Sequence, residues 1–528
     1  MTDKAVMAVD VGTGSARVGL FDRSGTMLAR AERPILMNQP TPDHAEHDSE
    51  DIWRAVCGAA RDSRKKAGLD RDAVTGISFD ATCSLVALDA EDRPVSVSIT
   101  GEDRWNVIVW MDHRAIAEAE ACTATGHKVL ASVGDTMSPE MEIPKLMWLK
   151  RHLPERWQRY GRLLDLADFL TFKASGSNER SCCTLTCKWT YLAHEQPSWQ
   201  ADFLHEMGLN DLMQRASMPP VAAAIGQPLG KLGVQAAADL GLTTACEVGA
   251  GLIDAHAGGL ATLGSYLEGP DAHLDRHVGL IAGTSTCLMA LSASPRAVPG
   301  VWGPYYGAMA PGLWLHEGGQ SASGALLDHI LAWHARGQEL GDNAHEKVLA
   351  RIDELRASVK KLGERLHVLP DFHGNRSPLA DPHAVGVISG LTLDSSLDSL
   401  AALYFRTAVA IALGARHILE ALNDKGYAID HMHIAGGHTK NPLLMELYAD
   451  TTGCRLVVPA EQDVVLLGTA IVAATAAGLH PDLGTAAKAM SKPGSVIEPN
   501  GERKEGYDHD YRIFLNMHAQ RSALDRLI

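Results

Sequence analysis

One pattern occurs twice in this chain. Ala5 to Asp22 reads AVMAVDVGTGSARVGLFD: two short apolar segments, Val6–Val11 and Ala16–Phe21, joined by Gly12-Thr13-Gly14-Ser15. Apolar segments on either side of a glycine-rich turn predict a β-hairpin. Near the middle of the 528 residues the pattern restarts: Val278–Ala282, then Gly283-Thr284-Ser285-Thr286, then Cys287–Ser292. A strand–turn–strand unit at the head of each half predicts a duplicated α/β architecture. Such turns offer backbone N–H groups and hydroxyls with little side-chain bulk, which suits a phosphate. Asp10 ends the first strand. A carboxylate there is what a magnesium nucleotide would use, although an ordinary hairpin beside an acid reads the same way.

A chain of 528 residues is too long for one core and predicts two large domains. Its formal net charge of −16 argues against nucleic acid or an anionic membrane as the partner. An anionic nucleotide held locally by amides and Mg²⁺ stays compatible with that charge. Nine cysteines are scattered without a CxxC pair; Cys182, Cys183 and Cys187 cluster. The odd count and the few ligand-like neighbours point to reduced cytoplasmic thiols rather than zinc or disulfides. The N-terminus lacks a long apolar region and no apolar run reaches the length of a membrane span, so a cytoplasmic protein is expected.

Met27–Arg33 reads as a third strand. His44 to Trp53 (HAEHDSEDIW) holds two histidines and several acids. It reads better as a helix start after Asp48, with Trp53, Val56 and Ala60 buried, than as a metal site. Val74–Phe79, Ser84–Leu88 and Asn106–Trp110 read as strands, and polar clusters follow two of them: Asp80-Ala81-Thr82-Cys83-Ser84 and Met111-Asp112-His113-Arg114. Polar residues at strand ends are where α/β proteins place ligand contacts; Asp112 and His113 also fit a helix cap and a surface residue. Pro144 begins a helix, and Leu163–Leu170 fits strand or helix. Lys188 lies among small hydroxyls, thiols and aromatics in Ser181–Leu192, as a ligand contact or a snorkelling surface residue. In CEVGAGLIDAHAGGL, Asp254 stands between a glycine-rich strand or turn and a helix, as a cap or a base.

Gly264 to His277 reads as an interdomain passage. Beyond it, Ala322–Leu331 is a helix, Gly337–Leu366 a charged, solvated helical insertion, and Asp371–Pro382 a loop. Ser396–Lys425 is a long amphipathic helix stopped by Gly426. His431–Ala435 is a strand followed by Gly436-Gly437-His438-Thr439-Lys440-Asn441, where bare Cα atoms let the backbone approach a flat ring or phosphate. Gly468–Ala477 is a small-residue helix, and 481–528 a peripheral helical tail.

Taken together and in order, these motifs resemble the FGGY carbohydrate kinases, over roughly residues 5 to 480. The resemblance implies a duplicated actin/Hsp70-like (ribonuclease H-like) α/β fold, with domains at 1–265 and 266–480 and a central interdomain cleft for ATP and sugar. It assigns Gly12, Thr13, Ser15 and Arg17, then Gly283, Thr284 and Ser285, to the ATP phosphates. Gly436, Gly437 and Asn441 fall to adenosine, Asp10 to Mg²⁺, and Asp254 to the catalytic base. FDATCSLV, VWMDHRA, TCKWTYL and EGGQSASGALLDHIL look like the ribulokinase branch, whose sugar contacts fall on Lys188, Asp254 and Glu317, with the backbone near Ala81 as a further contact. Glycerol kinases carry an arginine-rich passage where this chain has Asp112-His113-Arg114, which argues against glycerol. The activity implied is transfer from ATP to the terminal hydroxyl of a ketopentose, D-ribulose first, with L-ribulose, ribitol or xylulose as alternatives and a homodimer compatible. A non-enzymatic nucleotide clamp of the actin or Hsp70 kind shares the phosphate turns.

Overall fold

The computed structural model describes residues 4–267, 273–359, 361–461, 463–492 and 494–527. Part of the expected passage, 268–272, lies outside them. The chain forms two compact units. Unit 1 is Met1–Leu274, Leu291–His316 and Asp463–Lys492; unit 2 is Asp275–Ala290, Glu317–Gln462 and Pro493–Ile528. The compact units interleave along the chain, whereas the expected domains at 1–265 and 266–480 are contiguous.

Unit 1 is built on a mixed sheet. Strand β1 (Ala5–Val11) is antiparallel to β2 (Ser15–Asp22), which is antiparallel to β3 (Met27–Pro34). On its other edge β1 runs parallel to β4 (Val74–Ala81), and β4 pairs in parallel with β5 (Glu247–Gly249) and β6 (Leu252–Ile253). All seven residues of β1 are buried, as expected for a strand covered on both faces. Helix α1 (Ser49–Ala67) packs on β2 and β3. Asp48 caps it by accepting the N–H groups of Glu50 and Asp51, and Ile52, Trp53, Val56 and Ala60 are buried. The histidine-and-acid stretch is therefore a helix start.

Three further helices matter for the site: α2 (Cys182–Lys188), α3 (Asp254–Leu263) and α4 (Val464–Ala476). Helix α4 packs against β1, β4 and α3, which is why a segment so late in the sequence belongs to unit 1. Close packing requires glycine: a Cβ on Gly468 would lie 1.8 Å from the Ala257 carbonyl oxygen of α3. A second, smaller sheet contains Leu85–Leu88, Val107–Ile108 and Arg162–Asp165. The strand expected over Asn106–Trp110 is thus shorter, and Leu163–Leu170 divides into a strand and the Leu166–Ser175 helix that Asp165 caps.

In unit 2, β7 (His277–Ala282) is antiparallel to β8 (Thr286–Ser292) and parallel to β9 (His431–Ala435). Strand β9 is parallel to β10 (Arg455–Val458), whose far edge takes the antiparallel β11 (Ser495–Ile497). The order and directions β8-β7-β9-β10 repeat β2-β1-β4-β5, so the duplication read from the two turns is present in the sheets. Leu397–Asn423, capped by Ser396, is long and apolar enough by length and composition to cross a membrane, contrary to the expectation, but 78% of its apolar 18-residue window is buried within the molecule. It reads as a core helix. The Ala344–Ser358 helix is solvated apart from Val348 and Ile352. The Lys504–Asp525 helix is anchored by Tyr507, Tyr511, Phe514 and Met517 and by Arg406–Asp510 and Arg416–Asp508 ion pairs, so it is part of unit 2 rather than a peripheral tail.

Gly468→Ala should force α4 and α3 apart and cost about 1–3 kcal/mol, the usual penalty for overpacking. Gly506→Ala, in the C-terminal helix with nothing within 4 Å of the added carbon, should be neutral or stabilise by up to about 1 kcal/mol. Thermal melts of the two variants check both signs; a harmless Gly468→Ala would refute the packing argument.

Candidate active site

In unit 1 three carboxylates stand in a row at the C-terminal ends of parallel strands. Asp10 of β1 is in register with Asp80 of β4, and Leu252 of β6 is in register with Asp80 on its other side. Asp254 follows β6 directly and opens α3, with its Oδ1 accepting the Ala255 N–H at 2.7 Å. Asp10 and Asp80 are fully buried. Arg17 donates to Asp10 Oδ1 at 2.9 Å, and Thr469 of α4 donates to Asp80 Oδ2. Burial raises Asp10 to about 7; Arg17 holds it back, and Asp254 adds to the rise. Asp80 is raised too, by burial first and then by Asp10.

Asp10 Oδ2 and Asp80 Oδ1 are buried with no amide, hydroxyl or cationic donor among the described residues, and Asp80 hydrogen-bonds to Asp10 when one of the pair is protonated. Two adjacent buried carboxylate oxygens without such donors suit a hard divalent cation, since Mg²⁺ takes one or two carboxylates and keeps waters and phosphate oxygens for its other positions. The residues present therefore fit Mg²⁺, and Asp80 joins Asp10 as a residue that could hold it. Sequence reading placed Asp80 in a polar cluster at a strand end without giving it the metal; its signal was an acid at the end of the strand that pairs with β1.

Beside this row, Ala81 is in register with both Val11 and Ile253, and the Thr82 N–H donates to the Val11 carbonyl. Lys188, the last residue of α2, is 1% exposed, and its Nζ lies 4.2 Å from the centre of the Trp302 ring. That settles the choice between a snorkelling lysine and an interior one. Lys188 acts electrostatically on Cys83 and on Glu142, which lies 3.5 Å from Lys145 Nζ. Burial pushes Glu142 up to about 7, against the two lysines. Glu142, Lys145 and Trp302 are polar or aromatic partners that sequence reading missed, because they converge from distant segments. Asp112 accepts from Arg114 and the Ala45 N–H, and Arg114 also reaches Glu46. It is a buried packing network, which resolves Asp112 as structural.

The first turn closes through Gly12 N–H to the Ser15 carbonyl at 3.0 Å. Thr13 Oγ1 accepts from Trp110 Nε1, and Ser15 Oγ donates to Glu32, so both hydroxyls have protein partners. In unit 2 the matching turn closes through Gly283 N–H to the Ser285 carbonyl at 2.8 Å. The N–H groups of Ser323, Gly324 and Ala325 clamp the carbonyls of Gly283 and Thr284. Among the described residues, the amides of Thr13, Gly14, Thr284 and Ser285 donate no backbone hydrogen bond. That is the arrangement a phosphate oxygen needs.

Gly436 has φ +94°, and a Cβ there would meet the Ala282 carbonyl at 2.4 Å, whereas Gly437 has its nearest neighbour at 3.9 Å. The backbone itself requires glycine at Gly436; Gly437 is exposed and leaves room above it. Asn441 Oδ1 caps the next helix by accepting from Leu443 and Leu444, and its amide reaches Tyr404. Its side chain thus shapes the turn. Buried His438, pushed down to about 4, donates to or accepts from Tyr448 and lies against the Gly283 turn. Glu317, 3% exposed, begins unit 2's share of the Trp314–Gln320 strand.

The raised carboxyls give a signed pH dependence. Between the unfolded value near 4 and about 7 the folded state holds the extra proton, so metal-free stability falls as pH rises through that window. At pH 8, saturating Mg²⁺ should raise the melting midpoint by about 2–4 °C, and by less at pH 5. Asp80→Asn should lose that increment and be more stable than metal-free wild type at pH 8. Scanning fluorimetry over pH checks this; a Mg²⁺ shift surviving in Asp80→Asn would remove Asp80 from the site.

The chain matches the FGGY family of carbohydrate kinases, its N-terminal domain over residues 5–261 and its C-terminal domain over 278–477. It is 45% identical over 542 residues to an FGGY carbohydrate kinase domain-containing protein of Xenopus laevis, covering 99% of this chain and 98% of that one. It is 38% identical over 516 residues to a D-ribulokinase of Saccharomyces cerevisiae, covering 90% of this chain and 72% of that one. Among solved structures it is similar to a xylulose kinase from Rhodospirillum rubrum, with a TM-score of 0.80 and 25% identity over 99% of both chains. The repeated sheet, the paired glycine turns and these matches over both halves lead to one conclusion: the chain belongs to the FGGY family of carbohydrate kinases and is a sugar kinase.

Proposed function

We propose that this kinase phosphorylates the terminal hydroxyl of a ketopentose, converting D-ribulose to D-ribulose 5-phosphate with ATP and Mg²⁺ in the cytoplasm. The observation that carries the acceptor reading is Lys188, a buried cation fixed over the Trp302 ring and electrostatically coupled to Glu142. It gives a polyhydroxylated acceptor a fixed donor, a flat apolar surface and nearby acceptors. The similarity to the yeast D-ribulokinase supports the same acceptor. Cytoplasmic action is supported by the absence of a disulfide between any of the described cysteines.

In this reading Asp254 accepts the proton of the acceptor hydroxyl as its oxygen bonds to the γ-phosphorus and the bond to the leaving ADP oxygen breaks. A carboxylate helps because a neutral hydroxyl is a poor nucleophile until charge develops on it. Alignment and charge neutralisation then supply most of the rate. Asp10 and Asp80 would hold Mg²⁺, which neutralises phosphate charge when bound. The amides of Thr13, Gly14, Thr284 and Ser285 are the proposed phosphate donors, with Gly12, Gly283 and Arg17 shaping their turns. Gly436, Gly437 and Asn441 form the proposed adenosine turn. Lys188, Glu317 and the backbone at Ala81 are the proposed sugar contacts, and the structure adds Glu142 and Lys145 as candidates.

Asp254→Asn keeps the shape and removes the proton acceptor. Turnover should fall about 10²–10⁴-fold while nucleotide binding persists; unchanged turnover in a coupled ADP assay would overturn the base assignment.

Across D-ribulose, L-ribulose, ribitol, xylulose, a hexulose and glycerol, D-ribulose should give the highest kcat/KM. Glycerol should be slower by about 10²-fold or more, because a short polyol strands buried polar groups that cost on the order of 1–3 kcal/mol each. Lys188→Met should narrow that gap by harming the pentulose most. If glycerol or the hexulose matches every pentulose and pentitol, the ketopentose reading fails.

A further inference from the structure

Directly beneath the catalytic-base candidate lies a group of side chains that the kinase chemistry does not use. Cys183 and Cys187 are four residues apart on α2, a spacing that puts both thiols on one helix face. His256 lies on the first turn of α3, two residues beyond Asp254. The three side chains are fully buried, and their donor atoms lie within 4.8 Å of one another. Cys183 Sγ is 3.1 Å and Cys187 Sγ 3.9 Å from His256 Nδ1. The Ile253 N–H points at Cys183 Sγ from 3.4 Å, and Ser181, which caps α2, donates to the Gly251 carbonyl at 2.7 Å. Both ends of the cluster are therefore held by backbone next to Asp254.

We propose that Cys183, Cys187 and His256 form a soft-metal site for Zn²⁺ that ties α2 to the start of α3. A tetrahedral zinc with Zn–S of about 2.3 Å and Zn–N of about 2.0–2.1 Å separates sulfur from nitrogen by roughly 3.6 Å. The two observed separations, 3.1 and 3.9 Å, bracket that value. Two thiolates and one imidazole match zinc in softness, and two thiolate charges neutralise a divalent cation, which matters in an interior that tolerates no unpaired charge. Binding releases the two thiol protons to solvent as the Zn–S bonds form, with no change of oxidation state. Three protein ligands leave the fourth tetrahedral position to a water or other small ligand, and in this role the metal ties the two helices together. It fixes the spacing between Lys188, adjacent to Cys187, and Asp254, two residues before His256. This inference stands on the cluster's geometry and holds whichever sugar the enzyme prefers. It also revises the reading of Cys182, Cys183 and Cys187 as plain reduced thiols: the histidine that completes the set is far away in sequence.

Because the cluster is buried, the cation must meet the chain as it folds. The test is expression of the full chain in minimal medium with Co²⁺ replacing Zn²⁺, followed by metal analysis and optical spectroscopy. The expected result is one Co²⁺ per chain with a thiolate-to-cobalt charge-transfer band and visible d–d bands, and one Zn²⁺ per chain from zinc medium. Cys182→Ser should keep the bands; Cys183→Ser/Cys187→Ser should lose them. His256→Gln should retain at least about tenfold less metal through an equal dialysis, a loss no smaller than removal of an outer-shell partner causes. Wild-type protein that carries no thiolate-bound cobalt overturns the proposal, whatever the variants do. So does a band that survives in Cys183→Ser/Cys187→Ser, or one that Cys182→Ser abolishes as well.

Discussion

Unit 1 depends on keeping the carboxylate of Asp10 buried. Removing an ionised carboxylate from water is costly unless partners compensate, and here two adjacent strands bring a second buried acid, Asp80, alongside it. Arg17 and Thr469 supply the available compensation, from the hairpin and from α4. The remainder is left for a ligand. The hairpin register, the late helix and the glycines that let it approach all serve the same electrostatic requirement.

The two sheets share their strand order, and they differ in what stands at the matching ends. In unit 1 the strand beside the first turn ends in Asp80-Ala81; in unit 2 it ends in Ala435, with Gly436 directly after it. The first ending is acidic and suits a cation and a proton acceptor. The second is neutral and bare, with a left-handed glycine pressed on the Ala282 carbonyl, and suits a flat ring. A single topology thus offers two chemistries through the residues just past its strands, as the switch points of open α/β sheets commonly do.

Much of this was legible in the sequence because it is local. The paired turns, the cap at Asp48, the long helix at 397–423 and Asp254 at a strand–helix boundary are all set by neighbouring residues. What escaped was convergence. Asp80 gains meaning only once β4 lies beside β1, Glu142 and Trp302 only once they surround Lys188, and His256 only once α3 lies against α2. The alternatives left open at Lys188 and Asp112 were decided by burial and hydrogen bonding, which composition does not carry. The interleaving of the compact units escaped for the same reason, since nothing local in Val464–Ala476 says which sheet it will cover.

That interleaving has a consequence for synthesis. Chains emerge from the ribosome at about 5–20 residues per second, so the stretch from Leu274 to Asp463 takes roughly 10–40 s to appear. Throughout that interval the nascent β1 and β4 lack the helix that covers them, and Asp80 lacks the hydroxyl of Thr469. The first unit to be started is completed only at Lys492, after most of the second has been translated. Its apolar face therefore spends that time as a substrate for chaperones or for unwanted association, and the timing is set by chain connectivity rather than by any weakness of the finished fold.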